Sequence, residues 1–159
     1  MSTLHVGTKL LVKRFSKLPI TLYRIQARLP VSLRDYDTQV SMGRKSFDLQ
    51  LHDGKVLPAV GDKWIGPNDM SLRPGNETML NIIKNWNGDA TVYRFGEGLI
   101  LPIELVVIHE RDDHYSLQTT IPIALDAFNQ RLTQFLEASP NQTKEQFIAQ
   151  LEDYDDQDN

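Results

Sequence analysis

The amino-acid sequence predicts an α+β fold whose β core is largely antiparallel and open to division into two sheets. Three observations predict it. About six or seven strand-like segments stand beside three or four helix-like ones, without the regular alternation of βαβ units. Leu105 to Ile108 is a short, wholly apolar run rich in β-branched residues, as expected of a strand buried on both faces. Leu125, Phe128, Leu132 and Phe135 recur at spacings of three and four, which makes an amphipathic helix that must cover something.

In chain order, residues 1–19 form a basic N-terminal arm in which Lys9 to Lys17 suits either a short helix or an extended segment, ended by Pro19. Ile20 to Ala27 alternates as a strand, placing Leu22, Arg24 and Gln26 on one face and Tyr23 and Ile25 on the other. Leu29 to Ser46 is a loop, with a short helix near Val31 to Tyr36 as the option. Ser46 to Leu51 alternates cleanly as a strand, Asp53-Gly54 signals a turn, and Val56 to Trp64 is a loose second arm. Ile65 to Gly75 is a shaped loop, rich in Gly, Pro and Asn. Asn76 is the expected N-cap of a helix reaching about Trp86 and ended by Asn87-Gly88. Ala90 to Phe95 is a strand, and another begins at Leu99 to Leu101. After Ile108 the charged run Glu110 to Asp113 reads as a hairpin loop, and His114 to Thr120 returns as a strand. The amphipathic helix follows Pro122. Ser139-Pro140 breaks it, and Thr143 to Gln146 has the pattern of a capping box for a last helix through Leu151. The expected organisation is one domain over residues 1–151 and an acidic, disordered tail over 152–159.

Composition narrows the function. With no cysteine there are no disulfides, thiol nucleophiles or cysteine-bound zinc sites. The four histidines lack metal-ligand spacing, so no metal is expected. No apolar run is long enough to span a bilayer, and no apolar signal segment opens the sequence, so a cytoplasmic protein without membrane partners is expected. The charge is uneven: residues 1–30 hold six Lys or Arg and no acid, whereas residues 137–159 hold seven acids and one Lys. Such a start suits nucleic-acid binding or a mitochondrial presequence; equally, the two ends attract each other or are simply solvated.

The phosphate loop GxxxxGK[ST], the dinucleotide fingerprint GxGxxG and the GxSxG elbow are all absent. Three polar features remain. Arg24 stands within a strand, where a simple edge position would let it reach water along its aliphatic stem. Asn68 to Arg73 lies in the shaped loop, with Arg73 able to pair with Asp69 or with the acidic tail. His114, Ser116 and Gln118 share one face of a strand, with Tyr115 directed to the other. Classical serine hydrolysis would need His114 or His109 beside a serine.

The order of Tyr23-Arg24 on a first strand, Ser71 in GPNDMSLRP, and then Gly98, Leu101-Pro102, an apolar strand, a charged hairpin and His114-Tyr115-Ser116-Leu117 resembles a known family. It is similar to the ADP-ribosyltransferase-like toxins founded by the second exported effector of a bacterial type VI secretion system, and most of all to fungal-type members. The resemblance runs from about Leu22 to Leu136. It implies the split, two-sheet NAD-binding core of ADP-ribosyltransferases and an intracellular toxin that either transfers ADP-ribose from NAD to a macromolecule or hydrolyses NAD. It further implies catalytic roles for Arg24, Ser71 and His114, and an NAD site of Tyr23, Arg24, Asn68, Ser71, Arg73, His114, Tyr115, Ser116 and Gln118. An unknown macromolecular acceptor and an immunity or antitoxin protein are the implied partners. Such enzymes place a Glu on a late strand near the ribose; here none lies between His114 and Pro122, and Glu97, Glu104 and Glu110 fall off the expected strand face. The alternative is a non-catalytic or nucleic-acid-binding module on the same fold.

Overall fold

The apolar run at Leu105 becomes the interior of a four-stranded sheet. A computed structural model describes residues 13–58 and 70–157, the side chains of 154–157 excepted. Strand β6 (Leu105–Arg111) lies between β1 (Lys13–Phe15) and β7 (His114–Thr119), and β7 pairs in turn with β4 (Met70–Leu72). All of these pairings are antiparallel. A second sheet orders β2 (Leu22–Gln26), β5 (Thr91–Phe95) and β9 (Asn141–Thr143). The short β3 (Lys55–Val56) pairs with β8 (Ile123–Ala124).

Helix α1 covers Tyr36–Ser41, α2 Glu77–Lys84, α3 Leu125–Glu137 and α4 Lys144–Gln157. Side chains alternate across β2, so both of its faces need cover. Leu22 joins Phe95, Leu117, Phe128 and Leu132 in the larger apolar cluster, where α3 packs against both main sheets. Tyr23 and Ile25 join Met79, Ile83, Val92 and Phe147 in a second cluster beneath α2 and α4. Each fully buried Leu or Phe contributes about 1.5–3 kcal/mol.

Among the described residues, one isolated backbone bridge links the two main sheets. Tyr23 N–H donates to the Arg73 carbonyl at 2.7 Å, and Arg73 N–H donates back to the Tyr23 carbonyl at 3.0 Å. Tyr23 lies on β2 and Arg73 just beyond β4, so the sheets are joined there. This antiparallel, split-sheet α+β arrangement with flanking helices is consistent with an ADP-ribosyltransferase-like fold.

Several local expectations reappear as geometry. Asn76 accepts from Met79 N–H at 3.1 Å and caps α2. The capping box is complete: Gln146 Oε1 accepts from Thr143 N–H at 2.9 Å, and Thr143 Oγ1 accepts from Gln146 N–H at 3.1 Å. Asp53 and Gly54 turn the chain with φ of 52° and 77°.

Other expectations are corrected. Residues 46–51 are not a strand; Leu49 is buried in the core and makes an isolated bridge to Asp35, so its alternation reflects single-residue anchoring. Residues 99–101 likewise form no strand: Ile100 makes an isolated bridge to Lys17, and Leu101 is anchored in the larger apolar cluster. Of the two options for the basic arm, the extended one holds at Lys13–Phe15, which pairs with β6. Residues 1–12 of the arm lie outside the described part. The acidic tail is not wholly disordered: α4 runs unbroken to Gln157, carrying residues 152–157 as its last turns. The charged hairpin is tighter than read. Strand β6 continues to Arg111, and only Asp112 and Asp113 turn, with Asp112 at a φ of 41°.

Candidate active site

The junction between the two sheets positions the polar side chains. Arg24 follows Tyr23 on β2, and Ser71 sits at the middle of β4, two residues before Arg73. Arg24 Nη1 donates to the Ser71 carbonyl at 3.2 Å, and its Nε donates to Gln26 Oε1 at 3.0 Å. These bonds hold the guanidinium against the backbone of the neighbouring sheet, which limits the rotamer freedom that a long side chain otherwise keeps.

Ser71 pairs in register with Ser116, so both point to one face of the four-stranded sheet. His114 opens β7 two residues earlier on that face. Its Nε2 lies 3.2 Å from Ser71 Oγ. Its Nδ1 meets the carboxylate of Glu110. The side chains of His114 and Glu110 are 18% and 7% exposed, so this pair is largely withdrawn from water.

Glu110 reaches His114 because the β6–β7 hairpin is irregular. His109 pairs with Tyr115 and Arg111 with His114, leaving Glu110 as the extra residue of a bulge. The sequence pattern sets Glu110 in a charged loop, off the strand face, whereas it lies within β6. Extending the alternation from Ile108, which pairs with Ser116, would have placed Glu110 on the face of His114.

Among the described residues Arg73 finds its carboxylate on the β6–β7 hairpin; Asp69 lies outside the described part. Arg73 Nη1 donates to Asp113 Oδ1 at 3.0 Å, and Asn76 Nδ2 donates to Asp113 Oδ2 at 3.2 Å. The Asn76 hydrogen bond, with the charge of Arg73 as a smaller contribution, holds the Asp113 carboxyl below its ordinary value of 3.8.

Ser71, Arg24, Arg73 and Tyr23 line a cleft of about 260 Å³. Arg34, bound to Asp48 through a forked pair, closes one side. Met79, Ile82 and Trp86 form an apolar wall. His114 does not line the cleft; it stands one hydrogen bond behind Ser71. Three guanidiniums beside a hydroxyl and an apolar wall suit phosphate, ribose and a flat ring, so the lining fits part of NAD. Each arginine already has a polar partner, and a phosphate would compete with those partners.

Of the remaining expected site residues, Tyr115, Ser116 and Gln118 do not line this cleft. Tyr115 points into the larger core and stacks on His109 with ring centroids 4.2 Å apart. Burial pushes its hydroxyl pKa up. Ser116 and Gln118 share the face of His114 but are completely buried, with Gln118 Nε2 donating to Ser116 Oγ at 3.0 Å. Asn68 lies outside the described residues. No group of metal-ligating side chains occurs among the described residues, and none of their helices is long and apolar enough to cross a membrane.

Comparison with known families decides the membership. The Tse2 ADP-ribosyltransferase toxin family matches residues 20–147, most of the chain and every element named in the cleft. The chain belongs to the Tse2 ADP-ribosyltransferase toxin family. No curated protein and no solved structure matches it. The match is to the Tse2 family as a whole and lends nothing to the narrower fungal-type placement. The split core, with Arg24, Ser71 and Arg73 gathered at the sheet junction, is thus a feature of a Tse2-family toxin domain.

Proposed function

We propose that this Tse2-family domain uses NAD as its substrate, either transferring ADP-ribose to a macromolecular acceptor or releasing it to water. One observation carries the reading: Arg24 and Ser71, from different sheets, meet at the cleft with His114 directly behind the serine. Arg24 and Arg73 are the groups for the pyrophosphate, since a guanidinium offers a planar fork of donors. Ser71 supplies a hydroxyl at ribose reach, and Trp86 with Ile82 gives a flat ring an apolar surface. NAD brings the bond to be cleaved, between nicotinamide and ribose; the chain binds, orients and holds protons around it. Such a toxin acts in the cytoplasm of its target, and a cell that makes it needs an immunity protein. Placement among fungal-type members rests on the sequence resemblance alone.

The test is incubation of the full chain with NAD, with and without cell extract, following free nicotinamide and labelled acceptor. The wild type consumes NAD. Arg24→Ala raises the KM about 10–100-fold, the loss expected of charge-assisted hydrogen bonds worth about 1.5–3 kcal/mol. The reading fails if no nicotinamide is released under either condition, or if Arg24→Ala behaves as the wild type.

A further inference from the structure

The bulged residue Glu110 has no role in the reading above, yet it is a buried carboxylate set against the imidazole behind Ser71. A carboxylate taken from water is costly unless something in the fold repays it. Glu110 Oε2 faces His114 Nδ1, and His114 Nε2 faces Ser71 Oγ, whose residue lines the cleft. The three groups form an unbroken chain from the hairpin bulge to the cleft wall.

We propose that Glu110 is a positioning residue for His114, and that Glu110, His114 and Ser71 form a proton relay that makes Ser71 Oγ the activated hydroxyl of the cleft. The carboxylate accepts Nδ1–H and thereby fixes the tautomer. Nε2 is then left without its proton and directed at the serine, able to accept the Oγ proton. The imidazolium formed by that transfer has its charge balanced by Glu110. This is the logic of a base oriented by a third group, reached here through a strand bulge. The carboxylate therefore acts through His114 and not by touching the ribose. Charged groups around this chain include Arg111, in register with His114 across the hairpin, the Arg73–Asp113 pair at the hairpin turn, and Arg24 at the carbonyl of Ser71. The proposed role in turnover rests on the NAD reading; the tautomer does not.

Two measurements separate these. The first is 15N NMR of the histidine rings at a pH above their titration range, with His114→Ala assigning the signals. Wild type is expected to show His114 protonated at Nδ1, and Glu110→Ala to shift that ring toward the Nε2–H form or a mixture. A wild-type ring protonated at Nε2 overturns the relay even if NAD is consumed. The second is nicotinamide release. Glu110→Ala is expected to lower kcat about 10–100-fold, the range for lost outer partners of an imidazole, with the KM for NAD unchanged. Added formate restores part of the rate by occupying the vacated carboxylate position, and Glu110→Asp keeps part of it unaided. A purely structural Glu110 predicts a lowered melting temperature without formate rescue, and that result, or an unchanged kcat, refutes the positioning role. If wild type releases no nicotinamide, the NAD reading falls and the NMR result alone decides the relay.

Discussion

At the scale of single residues, the polar side chains at the sheet junction are held by hydrogen bonds and ion pairs to their neighbours. Asp113 shows the consequence for pH. Its carboxyl pKa is lowered by Asn76 first and by Arg73 as a smaller contribution. A group with a lower pKa in the folded state than in the unfolded chain stabilises the fold at pH values above the unfolded pKa. That stability is lost as the pH falls through the folded value. Asp113 therefore makes the β6–β7 hairpin and the start of α2 sensitive to acid, below the ordinary value of 3.8 and not near neutrality. Replacing it by Asn should lower stability at neutral pH and flatten the acid limb of a denaturation-midpoint profile. An unchanged acid limb in Asp113→Asn would assign the acid response to other carboxyls. Asn76 doubles as the cap of α2. Asn76→Ala should thus cost about 1 kcal/mol through the cap alone, with loss of the Asp113 bond added to it.

The individual elements show which parts of the chain could be read in advance. Where the signal is local chemistry, the sequence was sufficient. Asn76 and Thr143 announce helix starts because their side chains accept backbone N–H groups that would otherwise lack partners. The spacing of Leu125, Phe128, Leu132 and Phe135 announces α3 because one face of a helix must be apolar to be buried. Where the signal is a tertiary decision, alternation misled. Phe47, Leu49 and Leu51 look like the inward face of a strand, but of the three only Leu49 is fully buried, and among the described residues it makes only an isolated bridge. The polar face of β7 was correctly assembled, yet only His114 of its three members reaches the site; Ser116 and Gln118 bond to each other in the interior. Register alone cannot say which residues of a face are covered. Glu110 reads as lying off the strand face because a run of charge resembles a loop, while a bulge keeps this run inside a strand. The capping box gives a direct check at this scale. Thr143→Ala should destabilise the domain by about 0.5–2 kcal/mol in urea unfolding. Adding Gln146→Ala should cost less than its own single substitution does in the wild type, because the two bonds act as one unit. Full additivity would show that the reciprocal bonds do not cooperate.

For the molecule as a whole, β2, like its neighbour β5, contributes to both apolar clusters. Leu22 faces the cluster under α3, and Tyr23 and Ile25 face the cluster under α2 and α4. The same strand carries Arg24 and, through Tyr23, the narrow seam to the four-stranded sheet. Loss of either cluster exposes one face of β2, which neither cluster can then hold alone, so the two should unfold together. Phe128 and Phe147, both completely buried, sit in different clusters and test this. Phe128→Ala and Phe147→Ala should each cost about 3–5 kcal/mol by removing buried volume that the surroundings cannot refill. Each should lower a single urea midpoint, with far-UV circular dichroism and tryptophan fluorescence changing together. Two separated transitions in Phe147→Ala would mean that the cluster under α4 is an independent unit. The cleft could then open while the four-stranded sheet stays folded. A single transition in both variants ties the cleft to the whole core: Arg24 meets Ser71 only while both clusters are intact, and any loss of packing that unseats β2 removes the site with it.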